Sequence, residues 1–441
     1  MKAIRTMVRL LNNPHNQAML QETVARLDPK DNSEIAISSS LHHLRPGSRV
    51  NLELQSNIMA TQSILYSTLP IRDLDVFFME AGDNQSPLVL LLHGFPELSY
   101  SWRRVMLPLA NQGYHVVAPD TRGYGRTVNR NNPGWITYDD DLWQFRLTNL
   151  VHDVVALALA LGHKSVAAVV GHDFGSAIAG CCALVRPDFF KSVVLMSAPF
   201  PAPPTLPFDI RSQTSPQDPS PFSQFALLDG FLASVDPPRK HYTAYFSTRA
   251  ANEDIHRPPQ GLRNFLRAYF HMKSADWEGN DPRPLRNATE MPIMPNYYIM
   301  PLHETMAQVV EREAPSPEEI ALNQWLTDSE LSVFVQEFER TGFQGGLNRY
   351  RVMRDPRFVE ELSLFAGKKI EIPAMFISGK KDWGVYQSPG AAQKMQISIC
   401  TKMEEEDFVL VDGAGHWVQQ EQAEKVVEHL SRFLKKVRTS C

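Results

Sequence analysis

The stretch Ser165-Val-Ala-Ala-Val-Val170 followed by Gly171-His172-Asp173-Phe174-Gly175-Ser176 constrains this chain more than any other. Six residues with little polarity read as a buried strand, and Ala177 to Arg186, mostly small and apolar, reads as a helix. Only a tight turn fits between them, with Gly171 and Gly175 bracketing Asp173. A buried strand that runs straight into a helix belongs to a parallel sheet covered by helices.

Other segments extend the same pattern. Leu74-Asp-Val-Phe-Phe-Met-Glu80 alternates like a half-buried strand, and Leu88 to Leu92, His115 to Ala118, Ser192 to Met196, Ile372 to Ile377 and Phe408 to Val411 read as core strands. Leu150 to Leu161 has helical spacing and supplies the crossover into the strand at 165, while Ala423 to Lys435 reads as a C-terminal helix. The alternation stops between Pro199 and Pro221, where prolines cluster too densely for helix or strand. The expected organisation is a poorly structured extension at 1–60, a core at 61–200, a helical lid or cap at 201–355 and a second core segment at 356–441. Within the lid, Leu331, Phe334, Val335 and Phe338 fall on one helical face, and Thr327-Asp328-Ser329-Glu330 forms a capping box ahead of them.

Composition narrows the class of function. The chain has 44 Lys plus Arg against 49 Asp plus Glu, so no charge excess points to nucleic acid or an anionic membrane. The partners expected are a small molecule and water. Four cysteines without ligand spacing imply neither a metal site nor a disulfide framework, and no cofactor is called for. No apolar run is long enough to span a bilayer, so a cytoplasmic location is expected. Lys2, Arg5 and Arg9 before the first acid, Glu22, resemble a transit peptide only weakly, and a loosely ordered leader is the reading adopted.

The chemistry lies on the strand ends. A nucleophile on a strand-to-helix elbow needs nearly side-chain-free neighbours two residues away, as in G-x-S-x-G. Here Asp173 takes the nucleophile position, and no G-x-S-x-G occurs in the chain. The bland alternative is an N-cap aspartate. Two partners follow in the order acid, then histidine: Asp382 in Ser378-Gly-Lys-Lys-Asp-Trp383 and His416 in Asp412-Gly-Ala-Gly-His-Trp417, each just beyond a strand. A carboxylate nucleophile, with a reference pKa of about 3.9, needs no base for its first attack. The histidine is needed later, to deprotonate water that hydrolyses an ester on Asp173. Asp382 orients that histidine. Backbone N–H groups of Phe95 and Phe174 are the expected oxyanion hole.

These motifs resemble the epoxide hydrolase branch of the α/β-hydrolase superfamily over about residues 65 to 435. His93-Gly-Phe-Pro-Glu-Leu-Ser-Tyr-Ser-Trp-Arg103 is similar to its H-G-x-P loop, Pro119-Asp-Thr-Arg-Gly-Tyr-Gly125 to its next strand loop, and Gly171-His-Asp-Phe-Gly175 to its nucleophile turn. The long lid, with Trp277 and Trp325, looks like that of fungal relatives. The resemblance implies the α/β-hydrolase fold, a mostly parallel sheet flanked by helices with an inserted helical lid, and an epoxide substrate opened to a vicinal diol. It implies Tyr242, in His241-Tyr-Thr-Ala-Tyr-Phe246, and Tyr350, in Gly342 to Arg351, as lid donors to the epoxide oxygen, with Tyr245 or the Tyr297-Tyr298 pair as alternatives to Tyr242. Pro96 and Trp102 are the residues it implies around the substrate. Two positions depart from the family: Phe174 and Arg349 stand where Trp is common. The competing readings are a dehalogenase, another hydrolase with an aspartate nucleophile, and a non-catalytic ligand-binding relative of the fold.

Overall fold

The computed structural model describes residues 63–203 and 221–439, so the expectation for 1–60 lies outside the described residues. The frame is a sheet of strands β1 (Leu65–Ile71), β2 (Leu74–Ala81), β3 (Leu88–Leu92), β4 (His115–Pro119), β5 (Ala168–His172), β6 (Val193–Met196), β7 (Ala374–Gly379) and β8 (Phe408–Val411). Their spatial order is β1-β2-β4-β3-β5-β6-β7-β8, with a short Val128–Asn129 strand beside β2. The pairs β1/β2 and β2/β4 are antiparallel, and every other neighbouring pair along this path is parallel.

The parallel strands read as continuous apolar runs because helices cover both faces. Leu88 to Leu92 and Val193 to Met196 are buried at every position. Helices α1 (Arg103–Ala110), α2 (Leu147–Ala160), α3 (Phe174–Val185) and, at the end of the chain, Ala423–Thr439 lie against this sheet. On one face α2 and α3 contribute Val151, Val154, Ile178 and Cys182; on the other α1 and the C-terminal helix contribute Val105, Met106, Leu430 and Phe433.

β6 and β7 are sheet neighbours, Val193 facing Ala374, yet everything from Ser197 to Pro373 is inserted between them. The described part of that insertion is helical, with one two-stranded ribbon, Arg239–His241 against Ile299–Pro301. Its helices include α4 (Leu262–Lys273), α5 (Asp328–Thr341) and α6 (Gln344–Arg354). Thr327 caps α5, its side chain meeting the Glu330 N–H while the Glu330 carboxylate reaches back. Leu331, Phe334 and Phe338 of that helix are buried as expected, while Val335 is partly covered. They join an aromatic cluster with Tyr242, Phe246, Phe265, Tyr269 and Tyr350 that closes over Phe95 and Trp417 of the core.

The two regions are also joined by charge. Glu330, at the start of α5, accepts from Arg103 Nε at 2.9 Å and Arg104 Nη2 at 3.0 Å. Among the described residues no helix is long and apolar enough to cross a membrane.

Candidate active site

Asp173 sits between β5 and α3 with φ +53° and ψ −116°, a conformation that side chains other than glycine rarely adopt. The glycines around it are required by contact. A Cβ on Gly171 would lie 2.0 Å from the Gly175 carbonyl oxygen, and one on Gly175 would lie 2.1 Å from that of Leu92. The turn is therefore as tight as the bracketing glycines suggest, and it lifts Asp173 off the end of the sheet.

The two carboxylate oxygens of Asp173 face different groups. Oδ1 accepts the Phe95 N–H at 2.9 Å. Oδ2 lies 3.5 Å from His416 Nε2, which is enclosed and has no hydrogen-bond partner. Burial pushes the Asp173 carboxyl pKa up, but His416, Lys273 and His172 outweigh it and hold the group well below the usual carboxylate range. It is ionised at neutral pH.

His416 follows β8, and its other nitrogen, Nδ1, is 3.1 Å from both oxygens of Asp382. Asp382, beyond β7, also accepts from the Gly384 N–H at 2.7 Å and the Ser378 hydroxyl at 3.1 Å. Burial raises its pKa, but His416, the Gly384 N–H and Lys273 bring it down, so it is a carboxylate that fixes the imidazole. The two loops touch: a Cβ on Gly379 would lie 2.1 Å from the Gly415 carbonyl oxygen. The structure thus brings together Asp173, Asp382 and His416 from three separate strand ends.

Tyr350, on α6, packs its ring edge-on against Phe174 at 4.6 Å and Phe95 at 5.4 Å. Tyr242 lies 5.8 Å from Tyr350, ring to ring, and its hydroxyl donates to Gln387 Oε1 at 3.3 Å. Burial first, and neighbouring charge second, raises both phenol pKa values far above normal, so both hydroxyls are protonated donors. Tyr245 and Tyr297 have their hydroxyls engaged elsewhere, with Asp254 at 3.0 Å and Asn280 at 2.6 Å. Pro96 is buried and forms a cis peptide with Phe95. Trp102 is placed elsewhere, in correction of the expectation: it is fully buried with Val105, Met106 and Leu109 in the cluster beneath the sheet. It occupies the turn leading into α1, which directs the ring into the core rather than toward the nucleophile.

Several supporting residues went unnoticed in the sequence. Glu97 is fully buried and accepts from the Gly94 N–H at 2.9 Å and Gln419 at 2.8 Å, and it pairs with His172 Nδ1 at 2.5 Å. His172 Nε2 is 2.7 Å from the His416 carbonyl oxygen. Burial raises the Glu97 pKa and lowers that of His172, but their pairing reverses both, making them an ion pair that ties three loops together. Glu421 accepts the N–H groups of Gly415 and Trp417, at 2.8 and 2.9 Å, and so clamps both sides of His416. It also accepts the Ala275 N–H at 2.8 Å, reaching the segment that follows α4. The presence of Glu two residues after His-Gly-Phe and of His just before Asp173 were the available signals for the first network.

The pattern of the alpha/beta hydrolase fold matches residues 87–423. Epoxide hydrolase A of Mycobacterium tuberculosis (strain ATCC 25618 / H37Rv) is 30% identical over 365 residues, covering 81% of this chain and 92% of that protein. The chain belongs to the α/β-hydrolase fold family, in its epoxide hydrolase branch. This hydrolase is also 29% identical to epoxide hydrolase 2 of Siraitia grosvenorii, over 85% of its own length and 99% of the relative's. Among solved structures, an epoxide hydrolase from an endophytic Streptomyces matches with a TM-score of 0.65 and 29% identity, covering 85% of this hydrolase and 96% of that chain. Epoxide hydrolase A from Mycobacterium thermoresistibile matches with a TM-score of 0.63 and 31% identity, covering 85% and 98%.

Proposed function

We propose that this hydrolase opens epoxides to vicinal diols through a covalent ester on Asp173. The observation that carries the reading is the division of labour between the Asp173 oxygens: Oδ1 on the Phe95 N–H, Oδ2 open toward His416. In the first step Oδ2 attacks an oxirane carbon, forming one C–O bond as the ring C–O bond breaks. The oxygen released takes a proton from Tyr242 or Tyr350. A ring-opened alkoxide is far more basic than an ordinary phenolate, and the donation spares the site a bare alkoxide.

In the second step water loses a proton to His416 Nε2 and attacks Cγ of the ester. The negative charge that develops falls on Oδ1, where the Phe95 N–H already points, with the Phe174 N–H as the second donor. Collapse breaks the Cγ–Oδ2 bond and the diol leaves with a proton from His416; the new Asp173 carboxyl then gives up water's second proton, and the tyrosinate takes one up, which restores both groups. The unpartnered Nε2 suits this role, since it leaves the base free for water. The small-molecule partners on this reading are the epoxide and water.

Replacing His416 with Gln tests the scheme, because only the second step needs a base. Mass spectrometry after exposure to a panel of epoxides should find the substrate mass added at Asp173 and persisting. Normal turnover by the variant, or no adduct with a substrate that the wild type consumes, would overturn the two-step scheme.

A further inference from the structure

Two buried cations lie near Asp173, and only one is accounted for. Lys273, at the end of α4, holds its ammonium over the rings of Tyr269, Tyr298 and Trp417 at 5.6, 5.3 and 5.3 Å. Three aromatic faces replace much of its lost hydration. Arg349, immediately before Tyr350, is 6% exposed and meets a single ring, that of Phe174, at 5.2 Å. Its Nε and Nη1 are enclosed without a hydrogen-bond partner, and no carboxylate among the described residues pairs with it. The Tyr124 hydroxyl, whose pKa Arg349 influences, is likewise enclosed and unpartnered.

A desolvated guanidinium with no direct carboxylate partner, acted on only from a distance by the charge of Asp173, destabilises the free protein. Burial pushes the Arg349 pKa down to about 10, so the group is still charged at neutral pH. Its place is significant: Phe174, which it covers, is the residue directly after the nucleophile, and Tyr350, which follows it, is a proposed proton donor.

We propose that Arg349 binds the carboxylate of the substrate, so that the epoxides this enzyme prefers are epoxy acids with the carboxylate close to the oxirane. This rests on the epoxide reading above. The planar fork of a guanidinium matches the two oxygens of a carboxylate, and one unpaired cation matches one negative charge. A phosphoryl group would bring nearly two charges to a site where, among the described residues, one cation is free, since Lys273 is already caged. The pairing also solves an electrostatic problem, because an anionic substrate approaching ionised Asp173 is repelled unless a cation offsets it.

The test compares 3-phenylglycidate with its neutral primary amide. For the wild type, kcat/KM should favour the acid by about ten- to a hundredfold, the ratio one charge-assisted pair supplies. In Arg349→Met, which keeps an unbranched apolar stem, that ratio should fall to about one, with a melting temperature no lower than wild type because an unpaired buried charge has been removed. Equal rates for acid and amide in the wild type, or an acid preference that survives in R349M, would overturn the proposal. Calorimetry with the diol acid and the diol amide separates it from the parent reading. If no epoxide is turned over but wild type binds the acid at least tenfold more tightly than the amide, the epoxide reading fails and the anion site stands; if the two bind equally, the anion site fails too.

Discussion

The sheet core and the insertion between β6 and β7 build one site by different physics. The core places Asp173, Asp382 and His416 on loops whose paths are dictated by backbone contact: Gly171 against Gly175, Gly175 against Leu92, Gly379 against Gly415. Little slack exists there, which is what the proposed mechanism asks of these three side chains. The insertion holds Tyr242 and Tyr350 in an aromatic cluster, and it meets the core through that cluster, through one backbone contact on α6, where a Cβ on Gly345 would lie 1.9 Å from the Gly123 carbonyl oxygen, and through ion pairs such as the largely buried Arg103–Glu330 and the partly exposed Arg126–Glu337. The comparison teaches that Asp173, His416 and Asp382 are fixed chiefly by backbone sterics, whereas Tyr242 and Tyr350, the donors of the proposed mechanism, are fixed chiefly by side-chain packing, with α6 pinned to the core at Gly345.

If that contrast is right, the severest single change is Gly175→Ala. The added Cβ meets the Leu92 carbonyl, a backbone group of β3 that has nowhere to go, so a loss of about 3 kcal/mol or more is expected, with activity abolished. Urea denaturation would measure it; a variant with wild-type stability would show that the elbow tolerates relaxation. Next come the tyrosines. Tyr242→Phe and Tyr350→Phe should each slow ester formation by one to two decades, and the double variant by more, within the roughly 10²- to 10⁴-fold span of general acid catalysis. Hydrolysis of the ester should be nearly unchanged, because it uses only core groups. Stopped-flow kinetics resolves the two steps, and a double variant that opens epoxides within threefold of wild type would dissociate the insertion from the chemistry.

The smallest effect expected is at the seam. Burial raises the Glu330 carboxyl pKa, but Arg103, the Thr327 N–H and Arg104 bring it down to about 2. A depressed carboxylate stabilises the fold above its unfolded pKa of about 4.5 and loses that contribution as pH falls toward 2. Glu330→Gln should therefore cost about 1 to 2 kcal/mol at pH 7, allowing for partial solvent screening, and less than half of that at pH 3. Thermal melts at the two pH values decide it, and an equal loss at both would mean that the charge does not join the regions.

The same contrast explains what could be read from the chain. Leu88 to Leu92 was legible to the residue, because a strand buried on both faces leaves an unbroken apolar run, and Phe408 to Val411 reads the same way although it is an edge strand with only Val411 fully buried. β1 was missed: Leu65-Tyr-Ser-Thr-Leu-Pro-Ile71 is an edge strand, mostly exposed, with a proline that argues against a strand. β5 starts three residues later than the apolar run suggests and continues through His172, since Glu97 satisfies that buried imidazole from another loop. Arg349, Lys273 and Glu421 were illegible as a group. Their meaning depends on partners, or on the want of them, far away in sequence, as with Glu421 and Ala275. Trp102 shows the opposite error, a residue beside the right motif whose helical turn points it into the core.

The central claim is that the ester carbon attacked by water belongs to Asp173, and an isotope experiment addresses it directly. With enzyme in excess over epoxide in ¹⁸O-labelled water, the single-turnover diol should take its new oxygen from Asp173 Oδ2 and emerge unlabelled. The peptide containing Asp173 should gain one ¹⁸O, because water's oxygen stays behind in the carboxylate. A labelled diol from the first turnover, with an unlabelled Asp173, would mean that water attacks the epoxide itself and would contradict the account.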